Sequence, residues 1–184
     1  SNKDQAPKMV EKAIGKVNAL MFFNFIPTGR AEDRSELDLS PEEREKLLRK
    51  LYASFRENAG KIMIASTAPQ FGRISMQESG PGVMHMCAVD EKAKKMVRLI
   101  GGCGAGRIYC ALEPNGDVKP CVFLPIVVGN IREKPFDEIW DNDPILNQLR
   151  DKNLLKDNCG SCEYNTVCGG CRARAYAYTG DYLR

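Results

Sequence analysis

Cys159-Gly160-Ser161-Cys162-Glu163-Tyr164-Asn165-Thr166-Val167-Cys168-Gly169-Gly170-Cys171 sets four thiols in two Cys-x2-Cys knuckles separated by five residues. A thiolate is a soft, strongly donating ligand, and an all-sulfur set selects zinc or iron–sulfur clusters over hard cations. Cys-x2-Cys spacing lets two sulfurs converge across a tight turn. Gly160, Gly169 and Gly170 admit close backbone approach, so that amide N–H groups can point at sulfur. Working outward, Cys103, Cys110 and Cys121 form an earlier group with x6 and x10 spacing, accompanied by Gly104 and Gly106. Cys87 completes the eight cysteines, and the 86 residues before it hold none.

Clustering of this kind argues against a disulfide framework. Such frameworks belong to small secreted domains, whereas this chain of 184 residues shows no secretory signal and is 43% apolar, enough to build a core. Zinc is the nearer competitor. Zinc ribbons separate their knuckles by about fifteen or more residues, and structural zinc sites often include histidine, which is absent from these ligand candidates. The spacing favours iron–sulfur over zinc, with disulfides or free thiols third. The net charge of +3 and the absence of a dense lysine/arginine block speak against nucleic acid. No apolar run approaches membrane-spanning length, so the expected location is the cytoplasm.

The first hundred residues read as alternating helices and strands. A helix over Lys8–Ile14 stops at Gly15, and a largely apolar run from Val17 to Ile26 predicts a strand buried on both faces. Ser40-Pro41-Glu42-Glu43 is a capping box with proline at the first helical position. The helix it opens puts Leu48, Leu51, Tyr52 and Phe55 on one face and ends near Gly60. A second strand follows at Lys61–Ser66, and a further helix runs from Asp90 through Met96, Val97 and Ile100. Such alternation predicts an α/β architecture with parallel strands, and two strands alone cannot complete a sheet of that kind.

After Gly102 the texture changes. Ile108–Leu112 and Val118–Val122 flank the turn signature Pro114-Asn115-Gly116-Asp117. Short helices are expected at Phe136–Trp140, after Asp143-Pro144, and from Cys171 to Tyr178. The boundary between the two parts falls near residue 101. Ile139 and Trp140 read as core. His85, the only histidine, and Met84, Met86 and Met96 read as packing or surface residues. Gly101-Gly102-x-Gly104-x-Gly106 has neither dinucleotide-binding nor Walker spacing.

Several motifs occur in a characteristic order. They are Cys103-Gly104-Ala105-Gly106, Pro114-Asn115-Gly116-Asp117-Val118-x-Pro120-Cys121, Gly129-Asn130-Ile131-Arg132, Phe136-x-x-Ile139-Trp140, and Cys159-x2-Cys162-x5-Cys168-Gly169-Gly170-Cys171-Arg172-x-Arg174-Ala175. In this order they resemble the SPASM domain, the C-terminal extension of radical S-adenosylmethionine (SAM) enzymes that mature peptides, sulfatases, pyrroloquinoline quinone (PQQ) and haem. The resemblance covers residues 103 to 182. Phe25-Ile26-Pro27-Thr28-Gly29-Arg30 resembles the loop after a late barrel strand in the same superfamily.

The resemblance implies the C-terminal segment of a partial (β/α) barrel over residues 1–101, followed by a small cysteine-rich α+β SPASM domain over 102–184. It implies two auxiliary [4Fe-4S] clusters. Cys103, Cys110, Cys121 and Cys171 would ligate the first, and Cys159, Cys162 and Cys168 would give three ligands to the second. The family's fourth ligand lies beyond Thr179-Gly180-Asp181, and this sequence ends at Arg184. That leaves an open iron, a lost cluster, or Cys87 in its place; zinc remains a substitute occupant.

The radical-generating Cys-x3-Cys-x2-Cys motif does not occur in these residues. The chain is therefore expected to be the C-terminal part of a longer enzyme, and no catalytic residue is assigned. Asn24, Arg30 and Ser66, at C-terminal strand ends, are the expected contacts for SAM or substrate by superfamily analogy. Implied partners are a peptide, protein or cofactor-precursor substrate and a redox donor protein. Arg172 and Arg174 follow the last cysteine either as counter-charges to a cluster or as a solvated face.

Overall fold

The computed structural model describes residues 2–78, 82–83, 86–87 and 101–184, the short segments 82–83 and 86–87 by their backbone alone. The helix expected over Asp90–Ile100, and the side chains of Met84, His85, Met86, Cys87 and Met96, lie outside the described residues. Two compact units emerge. One takes in Ser1–Phe25, Glu36–Gly102 and Thr166–Cys168; the other takes in Ile26–Ser35, Cys103–Asn165 and Gly169–Arg184.

The first unit mixes helices and strands. Helix α1 spans Ala6–Ala13, strand β1 Ala19–Phe22, helix α2 Pro41–Glu57, strand β2 Met63–Ser66, helix α3 Gln70–Gln77, and strands β3 and β4 Gly82–Val83 and Met86–Cys87. Strands β1 and β2 are parallel in the register Ala19↔Met63 through Phe22↔Ser66, with α2 in the connection between them. The sheet order is β1-β2-β4-β3, and the pairings of β4 with β2 and with β3 are antiparallel. The expectation of parallel strands thus holds for β1 and β2 only, and no closed barrel forms among the described residues.

Helix α2 starts as its sequence dictates. Ser40 Oγ accepts the Glu43 N–H at 3.1 Å, and Glu43 Oε2 accepts the Ser40 N–H at 3.1 Å. Its inner face carries Leu48, Leu51, Tyr52 and Phe55, which pack with Val10, Ile62, Ile64, Phe71 and Ile74 into one apolar core. Phe71 meets the Tyr52 ring edge-on, with centroids 6.4 Å apart.

Strand β1 departs from expectation. It is four residues long, and its side chains alternate between exposed and half-buried, so only one face is covered. Val17, Met21 and Phe23 stand 46%, 51% and 72% exposed, and among the described strands β1 is an edge of the sheet. A continuous apolar run here reflects one covered face and one open apolar face. Helix α3 was not expected from the sequence; Gly72 and Ser75, both weak helix formers, dilute its apolar pair Phe71 and Ile74.

The second unit contains the expected hairpin, shorter than its apolar runs. Strand β5 (Ala111–Leu112) pairs antiparallel with β6 (Asp117–Lys119), and β7 (Gly129–Asn130) adds an unforeseen third strand. Asn130 Nδ2 donates to Asp117 Oδ1 at 2.9 Å and ties that strand to the turn. Helices α4 (Phe136–Asn142), α5 (Pro144–Arg150), α6 (Asp157–Gly160) and α7 (Arg172–Thr179) follow. Asp143 Oδ1 accepts the N–H groups of Ile145 and Leu146 and caps α5.

Ile139 is buried as expected, but Trp140 is only half-buried. It stacks on Phe136 at 5.7 Å, and Arg150 lies over its ring, 4.6 Å from the centroid. The core of this unit is built on Ile26, Cys103, Ala105, Cys121, Leu124, Leu149 and Ala173, with Cys171 packed against it. Among the described residues, no helix is long and apolar enough to cross a membrane.

Candidate metal centre

Thiols form part of the apolar core of the second unit, and this placement controls their chemistry. Burial pushes the Cys121 thiol up from its ordinary value, opposed by the backbone N–H of Phe123 and by the Tyr109 hydroxyl. Burial also raises Cys171, followed by the charge of Cys103, to about 12. Cys103, Cys121 and Cys171 therefore share one electrostatic neighbourhood. Cys110 is half-buried, and burial raises its thiol too.

Tyr109 was not singled out by sequence reasoning. Burial raises its hydroxyl far above the usual phenol range, and the thiols of Cys103, Cys121 and Cys171 add to the rise. The hydroxyl is in hydrogen-bonding contact with Cys121. The ring lies so close to Gly104 that a Cβ there would sit 2.6 Å from Cε1, a close backbone approach that only glycine permits. A glycine beside a cysteine is the one sequence signal of that approach. Arg107 lies close enough to Cys103 to feel its charge.

Cys171 is the residue from which α7 starts. The N–H of Arg174 faces its sulfur without closing a cap hydrogen bond. The next residue, Arg172, is 3% exposed. Its Nη2 donates to Cys159 Sγ at 3.4 Å, and its Nη1 donates to the Tyr182 carbonyl at 2.9 Å. Gly170 lies against this contact with φ of 64°; a Cβ there would stand 2.3 Å from Arg172 Nη2 and 2.8 Å from Cys159 Sγ. Cys162 Sγ accepts the Tyr164 N–H at 3.4 Å, the local amide-to-sulfur contact that knuckle turns provide. Cys168 is buried, in the short segment Thr166–Cys168 that groups with the first unit.

All seven candidate cysteines are free of disulfides. Among the described residues, no three Cys, His, Asp or Glu side chains come close enough to hold one metal ion. Four thiolates around a single zinc must converge tightly. A multi-iron cluster takes each thiolate on a different iron, so its ligands stand further apart. Buried thiols gathered around Cys103, Cys121 and Cys171, with amide N–H groups and arginines beside them, fit the cluster better than the single ion.

Of the other candidate residues, Asn24 and Ser66 come together. Asn24 Nδ2 donates to Ser66 Oγ at 2.8 Å, and its N–H donates to Thr67 Oγ1 at 2.8 Å. These bonds join the C-terminal ends of β1 and β2. Ser66 also accepts the Ala68 N–H at 3.2 Å. Arg30 is exposed in the 3-10 turn Gly29–Ala31, which belongs to the second unit.

Residues 103–172 match the SPASM family model, an iron–sulfur cluster-binding domain. The chain is similar to the AdoMet-dependent heme synthase of Methanosarcina barkeri, 40% identical over 185 residues that cover 99% of this chain and 51% of the relative. The heme synthase of Nitratidesulfovibrio vulgaris is 36% identical over 176 residues, covering 96% and 46%. The mycofactocin maturase of Mycobacterium ulcerans is 40% identical over 83 residues, covering 42% of this chain and 22% of its own length. The chain spans about half the length of the heme synthases it matches.

Proposed function

Because the chain belongs to the radical SAM/SPASM proteins through its cluster-binding domain, we propose that it is the auxiliary-cluster portion of a radical SAM maturase acting on a haem-type or other cofactor precursor, or on a peptide or protein. The observation that carries this reading is the grouping of Cys103, Cys121 and Cys171 in one core, with the cysteines in SPASM order. In this reading residues 1–101 are a segment of a partial (β/α) barrel, represented by the parallel pair β1 and β2, and residues 102–184 are the SPASM domain.

Cys103, Cys110, Cys121 and Cys171 would hold the first [4Fe-4S] cluster, and Cys159, Cys162 and Cys168 three corners of the second. When bound, such clusters supply one-electron transfer or an iron at which substrate is positioned. The chain's own residues prepare that chemistry. Gly104 and Gly170 let ring and guanidinium reach the sulfurs, the knuckle amides point at sulfur, and the apolar core excludes water. Asn24 and Ser66, fixed to each other at the strand ends, and Arg30 would face SAM or substrate. A redox donor protein and a cytoplasmic location complete the proposal.

The test is anaerobic reconstitution of this chain with iron and sulfide. A brown protein absorbing near 400 nm with about four to eight irons per chain supports the reading. A colourless protein with stoichiometric zinc after the same handling would replace it with a structural zinc module.

A further inference from the structure

Arg172 is in a costly place for a cation. It is 3% exposed, and a buried guanidinium ordinarily requires an anionic partner. It is also the first residue of α7, where the helix dipole disfavours positive charge. Among the described residues its hydrogen bonds reach only the Cys159 sulfur and the Tyr182 carbonyl, and its Nε has no partner there. No carboxylate pairs with it among the described residues. Substitution at Gly170 would displace it, since a Cβ there would collide with both the guanidinium and Cys159. The chain thus holds a buried cation against a sulfur that belongs to one cysteine group, next in sequence to a cysteine of the other.

We propose that Arg172 is the internal counter-cation of the cluster site, a positioning residue whose charge offsets the negative charge gathered by the sulfur of Cys159 and by neighbouring Cys171. The inference rests on the cluster reading above. Charge near a cluster and hydrogen bonds to its sulfurs set its reduction potential. A planar guanidinium can donate to sulfur along one edge and anchor to a carbonyl along the other. A cation there favours the form with the extra electron.

The experiment uses this chain reconstituted anaerobically, with iron content measured and the clusters titrated redox-potentiometrically by electron paramagnetic resonance. For R172Q, the reduced-to-oxidised ratio at fixed potential should fall about tenfold, a shift of about 59 mV to more negative values for one electron. R172K, which restores the charge, should recover most of it. A loaded R172Q that titrates like the unsubstituted chain overturns the inference and leaves the cluster reading intact. If R172Q takes up no iron while its circular dichroism is unchanged, loading of R172K supports a charge role; equal failure of both variants overturns it in favour of guanidinium shape. An unsubstituted chain that binds zinc and no iron overturns the cluster reading itself, and the inference with it.

Discussion

The two compact units are built on different principles. The first closes over large aliphatic and aromatic side chains, with Leu48, Leu51, Ile64, Phe71 and Ile74 all at 0% exposure. In the second, two cysteines and two alanines take four of the seven buried places in the cluster around Ile26 and Leu124. Small side chains bury little apolar area, and area is the source of hydrophobic stabilisation. The core of the first unit rests on large apolar side chains. The second unit places thiols where larger apolar side chains would otherwise pack, and we infer that a bound cluster would add stabilisation that these small side chains do not.

The strongest way to break this contrast is to remove a ligand. Cys121→Ser should lower the iron content of reconstituted protein by about half, one [4Fe-4S] cluster of two. It should loosen the second unit while leaving amide exchange in α2 unchanged. Iron analysis and hydrogen exchange read the two halves separately, and exchange that rises equally in both units would contradict the contrast. The reciprocal change is Phe71→Ala, expected to cost the first unit about 3–5 kcal/mol in denaturant unfolding while iron uptake stays unchanged.

Gly170→Ala sharpens the picture at a single backbone position. The left-handed conformation and the collision with Arg172 and Cys159 together predict a loss of about 1–3 kcal/mol and slower cluster uptake. Normal uptake would show that the contact relaxes freely. The smallest effect belongs to the first unit's helix start. Ser40→Ala should cost about 1 kcal/mol, seen as a lower melting temperature.

The same helix start carries a pH signature. A hydrogen bond from its own backbone N–H, then one from Ser40, holds the Glu42 carboxyl below its ordinary value; Lys3 does so for Glu43, followed by the Ser40 N–H. Folded values below the unfolded ones stabilise the fold above the unfolded carboxyl range, and this contribution disappears as pH falls through the folded values. Ser40→Ala should therefore flatten the acid limb of a melting-temperature profile. An unchanged acid limb would show that the carboxylates gain nothing from the cap.

Legibility in the sequence followed the strength of the local signal. The capping box at Ser40, the apolar face of α2, the proline-started helix at Pro144 and the turn at Pro114–Asp117 each bring local chemistry strong enough to act alone, and each is present. Helix α3 and strand β7 were not legible, because Gly72, Ser75 and the two-residue pair Gly129–Asn130 carry little propensity without their tertiary neighbours. The cysteine order pointed to a group of four, and the structure packs Cys103, Cys121 and Cys171 into or against one core while leaving Cys110 half-buried. Spacing cannot reveal the course of a backbone between thiols. Nor could the burial of Arg172 be read, since an arginine following a cysteine is chemically the same letter on a wet face or a dry one.

Strand β1 has a practical consequence for anyone handling this polypeptide. Among the described residues the outer edge of β1 pairs with no strand, and Val17, Met21 and Phe23 stand exposed beside it, a sticky template for strand addition. Exposed edges of this kind favour self-association that grows with concentration, so light scattering from this polypeptide is expected to rise more than linearly with concentration. Storage conditions, tags and light-scattering controls should be chosen with that seam in mind.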